Sequence, residues 1–142
     1  MDIRTKGQTG EREFLQKLSD LLGLEEKLTR NLDQTRCGGA DCVQLQGYAI
    51  EIKNQRTVTL PEWWRQAVKQ AKTLKSIPLL AYKVPRKGWL VVVPCPWVTT
   101  VVCGTSDIVV DQTYVELFPD TVQMSLEFFV ELYKRYHGSV SQ

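Results

Sequence analysis

Gly39-Ala40-Asp41, followed by Tyr48-Ala49-Ile50-Glu51-Ile52-Lys53, is the stretch on which the fold turns. The second segment reads as a strand, in which side chains alternate between the two faces of a sheet. Ile50 and Ile52 then point into a core, and Glu51 and Lys53 lie side by side on the other face. Gly38, Gly39 and Ala40 are small enough for a tight turn that leaves Asp41 open to a ligand. A return through Gln44-Leu45-Gln46-Gly47 would bring a short strand over 41–45 against 48–53, with Asp41 beside Glu51. Clustered carboxylates repel each other and become easier to protonate. A divalent cation relieves that repulsion and takes oxygen ligands. A neighbouring lysine can orient or deprotonate water, or stabilise charge on a phosphate. The bland alternative is a weak ion pair on an exposed sheet face.

The chain around this stretch has the bulk of one domain. Its 142 residues, 43% apolar and 24% charged, can bury a sizeable core, so residues 1–142 are read as a single domain. The net charge of +2 is unevenly spread. Residues 1–94 carry 16 Lys and Arg against 10 Asp and Glu, whereas residues 95–142 carry 2 against 6. The basic part is the part that holds the carboxylates, which suits an anionic partner such as nucleic acid. No apolar run is long enough to span a membrane, and the polar Met1–Gly7 start is unlike a secretory signal. A cytoplasmic, reducing setting is the default expectation, without disulfides. Cys37, Cys42, Cys95 and Cys103 lack the spacing of a zinc site and are expected to be buried free thiols.

Helical spacing of Phe14, Leu15, Leu18, Leu21 and Leu22 predicts a first helix over 9–22, ending at Gly23 after a flexible 1–9. Glu11 falls within that apolar stripe, where a carboxylate needs a partner; a frayed first turn would be the alternative. Glu13 falls on the solvated face. Residues 25–36 read as a short strand or irregular chain, and 55–59 as a polar loop. Pro61 opens a helix over 61–75 with Leu60, Trp64, Ala67, Val68, Ala71 and Leu74 on its apolar face. Strands are predicted at 79–84 and 89–93 around a Pro85-Arg86-Lys87-Gly88 turn, with β-rich pieces at 97–103 and 107–110 and a last helix over 125–136. This order predicts an α/β fold with a mixed central sheet flanked by helices.

The combination Lys6-Gly7-x-x-Gly10-Glu11-Arg12-Glu13, Gly39-Ala40-Asp41 and Ile50-Glu51-Ile52-Lys53 resembles the PD-(D/E)XK nuclease superfamily. With Ile77-Pro78-Leu79-Leu80-Ala81-Tyr82-Lys83 and Gly88-Trp89, it is most similar to archaeal-type Holliday junction resolvases. The resemblance covers about residues 5–94 and implies a restriction-endonuclease-like catalytic core there. Residues 95–142 would be a strand and helix extension with a possible place in dimerisation, longer and more acidic than a minimal resolvase needs. A Gln34–Gly39 loop also replaces the family's Ser-Gly-Ser-like one.

The resemblance implies a Mg²⁺-dependent endodeoxyribonuclease, with Mn²⁺ as substitute. Glu11, Asp41 and Glu51 would be acidic metal ligands, joined by the carbonyl of Ile52, and Lys53 the catalytic lysine. Gln66, or alternatively Gln70, would support the site. Arg12 and Arg36 match positions that grip DNA phosphates in such enzymes, and Lys6 of the opening motif is read as a DNA contact with them. Read from charge alone, Arg56, Arg65, Lys69, Lys72, Arg86 and Lys87 could form a phosphate track, with a merely solvated basic face as the alternative. Branched DNA, above all the four-way junction, would be the substrate of a homodimer acting in DNA recombination or repair. Flaps, nicks or duplex sites are the alternative substrates, and a non-catalytic DNA-binding protein the alternative class. Small nucleases of this kind are common in phages, in which case the host cytoplasm would be the setting. Trp63 could stack on a base, though packing is the commoner fate of such a residue, and His137, the lone histidine, is given no catalytic part.

Overall fold

A computed structural model of the chain describes residues 3–29, 45, 47–55, 59–98 and 121–137, the side chains of 3–8 excepted. Helix α1 spans Ile3–Leu22, strand β1 Tyr48–Lys53, helix α2 Leu60–Leu74, strand β2 Ile77–Val84, strand β3 Gly88–Pro94, strand β4 Thr121–Ser125 and helix α3 Leu126–His137. The described strands form one sheet in the order β1-β2-β3-β4. β1 and β2 are parallel, with Tyr48 opposite Ile77 and Lys53 opposite Tyr82, and α2 forms the crossover between them. β2–β3 and β3–β4 are antiparallel. The predicted mixed sheet between helices is therefore present.

The alternation of β1 divides the core. Tyr48, Ile50 and Ile52 belong to one apolar cluster with Phe14, Leu15 and Leu18 of α1 and Phe129 and Tyr133 of α3. On the other face, Trp63, Trp64, Ala67 and Val68 of α2 pack on Leu80, Tyr82 and Val92. Ala49 of β1 meets Ala71 of α2. Two alanines at that contact let the helix lie close over β1. The strand is consequently buried on both faces, as parallel strands in layered α/β folds are.

Local chemistry sets the ends of these elements. Gly23, at φ +71°, closes α1, and Leu24 N–H donates to Ser19 O. The Ser19 hydroxyl, fully buried, donates to Leu15 O at 2.7 Å and accepts Leu28 N–H at 2.8 Å, which fastens the following segment to the helix. Pro61 occupies the first turn of α2, and Lys75 ends it in the left-handed region. Arg86 (φ 69°) and Gly88 (φ 82°) make the β2–β3 turn. Ser125 Oγ accepts Phe128 N–H at 3.1 Å and caps α3.

Several expectations need correction. α1 begins at Ile3 rather than Thr9, although Gly7 and Gly10 lower intrinsic helicity. Residues 97–98, expected in a β piece, fall in a helical turn over 95–98; Pro94 and Pro96 remove the donors a continuing ladder would need. Strand β4 falls within 121–125, where no strand is predicted, because only Val122 and Met124 of its five residues are apolar. Cys95 is an exposed free thiol, not a buried one. Trp63 is buried at 5% exposure against the Tyr82 ring, 5.9 Å away, so it packs. The expected elements over 30–44, 99–103 and 107–110, with Cys37, Cys42 and Cys103, lie outside the described residues.

At the start of β1, the Tyr48 hydroxyl accepts Trp97 Nε1–H at 2.9 Å and lies 2.9 Å from His137 Nε2. This ties the 95–98 turn and the end of α3 to the sheet. Burial of that ring edge holds the His137 pKa below its usual 6.5. The unfolded chain takes up a proton near pH 6.5 that the folded chain resists, so stability present above that pH is lost on acidification. The melting temperature is expected to fall between pH 7.5 and 5.5, and to fall less in His137→Gln; identical slopes for the two chains would show that the imidazole does not contribute.

Candidate functional site

Glu51 and Lys53 share the face of β1 that α2 covers. Glu51 is only 4% exposed and, among the described residues, is the buried charged side chain. Its Oε1 lies 3.5 Å from Lys53 Nζ and accepts a hydrogen bond from Gln66 Nε2 at 3.3 Å. Burying a carboxylate costs several kcal/mol unless charge or hydrogen bonds offset it, and both of these contacts are long. The exposed ion pair that a bare Glu-x-Lys would suggest is therefore not what forms. Gln66 reaches Glu51 because it occupies the first half of α2, over the C-terminal end of β1. Gln70, one turn further along, has its Oε1 buried without a hydrogen-bond partner.

Topology gathers other groups at this end of the sheet. β1 and β2 run parallel, so the β2–β3 turn with exposed Arg86 and Lys87 projects beyond the same end as Lys53. α1 reaches that end through Gly10, which lies against the side chain of Asn54, the residue after Lys53. Glu11 is the next residue of the helix and is partly buried, and Arg12 beside it is exposed. Glu13 is exposed as expected, yet both its oxygens accept hydrogen bonds from Lys83 Nζ of β2, at 2.8 and 3.0 Å. Arg65 is exposed on the first half of α2 and Lys69 one turn beyond. Lys6 lies in α1. Asp41, Arg36 and Arg56 lie outside the described residues.

Sequence reasoning missed Asn54 and the Glu13–Lys83 pair. Asn54 directly follows the Glu-x-Lys segment, and that position was its one signal. His137 is placed at the opposite end of β1, against Tyr48. A cavity of about 590 Å³ beside Leu24, Leu28, Leu45 and Tyr133 also lies away from Glu51.

The donor set suits a hard cation. Glu51 supplies carboxylate oxygen in a shielded place, and Ile52 O and the carboxylate of Glu11 are further oxygen donors of the same region. Among the described residues no three His, Cys, Asp or Glu side chains converge on one point. Also among the described residues, no helix is long and apolar enough to cross a membrane.

A family model described as "Phage putative PDDEXK endonuclease" matches residues 2–136. No curated protein and no solved structure matches the chain.

A carboxylate buried for chemistry rather than for stability should be dispensable to folding. Glu51→Gln is expected to leave the metal-free protein as stable as the unaltered chain, or more stable by about 1 kcal/mol, since the amide avoids the cost of a buried charge. Thermal or urea denaturation in EDTA measures this; a loss above about 2 kcal/mol would mark the Glu51–Lys53 pair as structural.

Proposed function

The chain belongs to the phage PDDEXK endonuclease family, and we propose that it is a Mg²⁺-dependent, structure-selective DNA endonuclease whose preferred substrate is the four-way junction. The observation that carries the nuclease reading is Glu51, buried beneath α2 between Lys53 and Gln66 at the end of β1. A non-catalytic binding protein would gain nothing from a charge so costly to bury.

Glu51, Asp41, Glu11 and the Ile52 carbonyl are the proposed metal ligands. When bound, Mg²⁺ supplies Lewis-acid stabilisation of phosphate charge and lowers the pKa of coordinated water. Gln66 fixes the Glu51 carboxylate through Oε1 and so reduces the orientations it must sample. Lys53, only partly buried, can hold or accept a proton from the attacking water, or stabilise the negative charge growing on the phosphate oxygens. Arg12, Arg65, Lys69, Arg86 and Lys87, exposed on three elements, together with Lys6, Arg36 and Arg56, would contact phosphates on either side of the scissile bond. Paired cuts in a junction call for two active sites, so the working form proposed is a two-fold dimer. A role in phage DNA recombination or repair within the host cytoplasm follows from that substrate. Flaps, nicks and specific duplex sites are the alternatives within the same chemistry.

Cleavage of a labelled four-way junction and of matched linear duplex, each with Mg²⁺ and with EDTA, tests the proposal. Paired, symmetric, Mg²⁺-dependent nicks in the junction alone are expected, and Glu51→Ala should abolish them while junction binding persists. Duplex cutting would move the substrate elsewhere, and tight junction binding without cutting of any DNA would favour the binding-protein reading.

A further inference from the structure

Gly10 lies in the interior of α1, where glycine costs about 1 kcal/mol relative to alanine. It is buried, and a Cβ built on it would lie 2.6 Å from Asn54 Cβ, 2.8 Å from Asn54 Nδ2 and 3.1 Å from Asn54 Cγ. The nearest of these atoms is fixed to the backbone of Asn54 and cannot swing away as the tip of a flexible side chain could. Asn54 in turn follows Lys53 directly, so it cannot retreat without moving the end of β1. Any side chain at position 10 must therefore push α1 away from that end. Phe14, one turn on, packs on Trp89 with ring centroids 5.1 Å apart, and Glu13 is paired with Lys83. Both contacts resist the displacement further along the helix, so the shift would concentrate around residues 10–11.

We infer that Gly10 is a positioning residue whose close seating against Asn54 sets how near Glu11 comes to the Glu51 end of β1. This rests on the metal-dependent nuclease reading above. Its physical basis is the narrow tolerance of such sites: a displacement on the order of 1 Å costs about 100-fold in rate, and loss of a supporting contact costs about 10–100-fold in metal affinity.

The test is Mn²⁺ titration of the full-length chain by calorimetry, without DNA, for four proteins: the unaltered chain, Gly10→Ala, Gly10→Ala/Asn54→Gly and Val130→Ala. Val130 is buried on α3, and its truncation lowers stability without altering Gly10 or Asn54. Gly10→Ala is expected to weaken Mn²⁺ binding about 10–100-fold, Val130→Ala to leave it within about twofold, and the double variant, which removes the obstructing Cβ, to recover most of it. Unaltered Mn²⁺ affinity in Gly10→Ala, or a folded double variant without recovery, overturns the inference. Should Gly10→Ala not fold, a folded double variant with restored binding supports it, and an unfolded one overturns it. No Mn²⁺ binding by the unaltered chain would instead remove the metal-dependent reading itself.

Discussion

A carboxylate held out of water is the constraint around which the rest of this molecule is arranged. Glu51 stands in a strand covered on both faces, with α1 and α3 on one side and α2 on the other. The apolar layers could form as well around an uncharged residue there. A buried charge persists in such a place only where something offsets its desolvation. Lys53 and Gln66 are among the groups that do so.

Topology gathers several polar and basic groups at the Glu51 end of the sheet. Parallel pairing of β1 with β2 puts the C-terminal ends of both strands at one edge of the molecule, the usual position for sites in open α/β sheets. α2 departs from that edge, α1 reaches it through Gly10, and the β2–β3 turn adds Arg86 and Lys87. The opposite end of β1 is built differently. Tyr48, Trp97, Phe129, Tyr133 and His137 form an aromatic and hydrogen-bonded anchor there. One end of the strand thus carries the aromatic anchor and the other the Glu51–Lys53–Gln66 group, so on the nuclease reading proposed above, substitutions at the two ends should separate in their effects on stability and on activity.

Much of this was legible in the chain because period-2 alternation and a strong apolar run coincide over 48–53. The same holds for α2, whose start Pro61 marks, and for the hairpin around 85–88. Other features depend on contacts that no local pattern encodes. Gln66 and Gln70 are four residues apart on one helix face, and only the placement of α2 over β1 decides that Gln66 meets Glu51. The N-terminal extension of α1 over residues 3–8 forms despite Gly7 and is not announced by any apolar period there. β4 alternates too weakly to announce itself, and its pairing with β3 makes it a strand. Trp63 and Trp64 point in different directions around α2, yet both are buried, since the helix sinks against Leu80 and Tyr82 over a wide arc. The placement of Asp41, central to the sequence argument, lies outside the described residues.

The most direct test of a metal site at the end of β1 is a crystal structure of the chain soaked in Mn²⁺, read by anomalous scattering. A peak bonded to the Glu51 carboxylate and the Ile52 carbonyl, with Glu11 and Asp41 completing the shell, is the expected result. An ion bound elsewhere, with Glu51 unchanged beside Lys53 and Gln66, would contradict it.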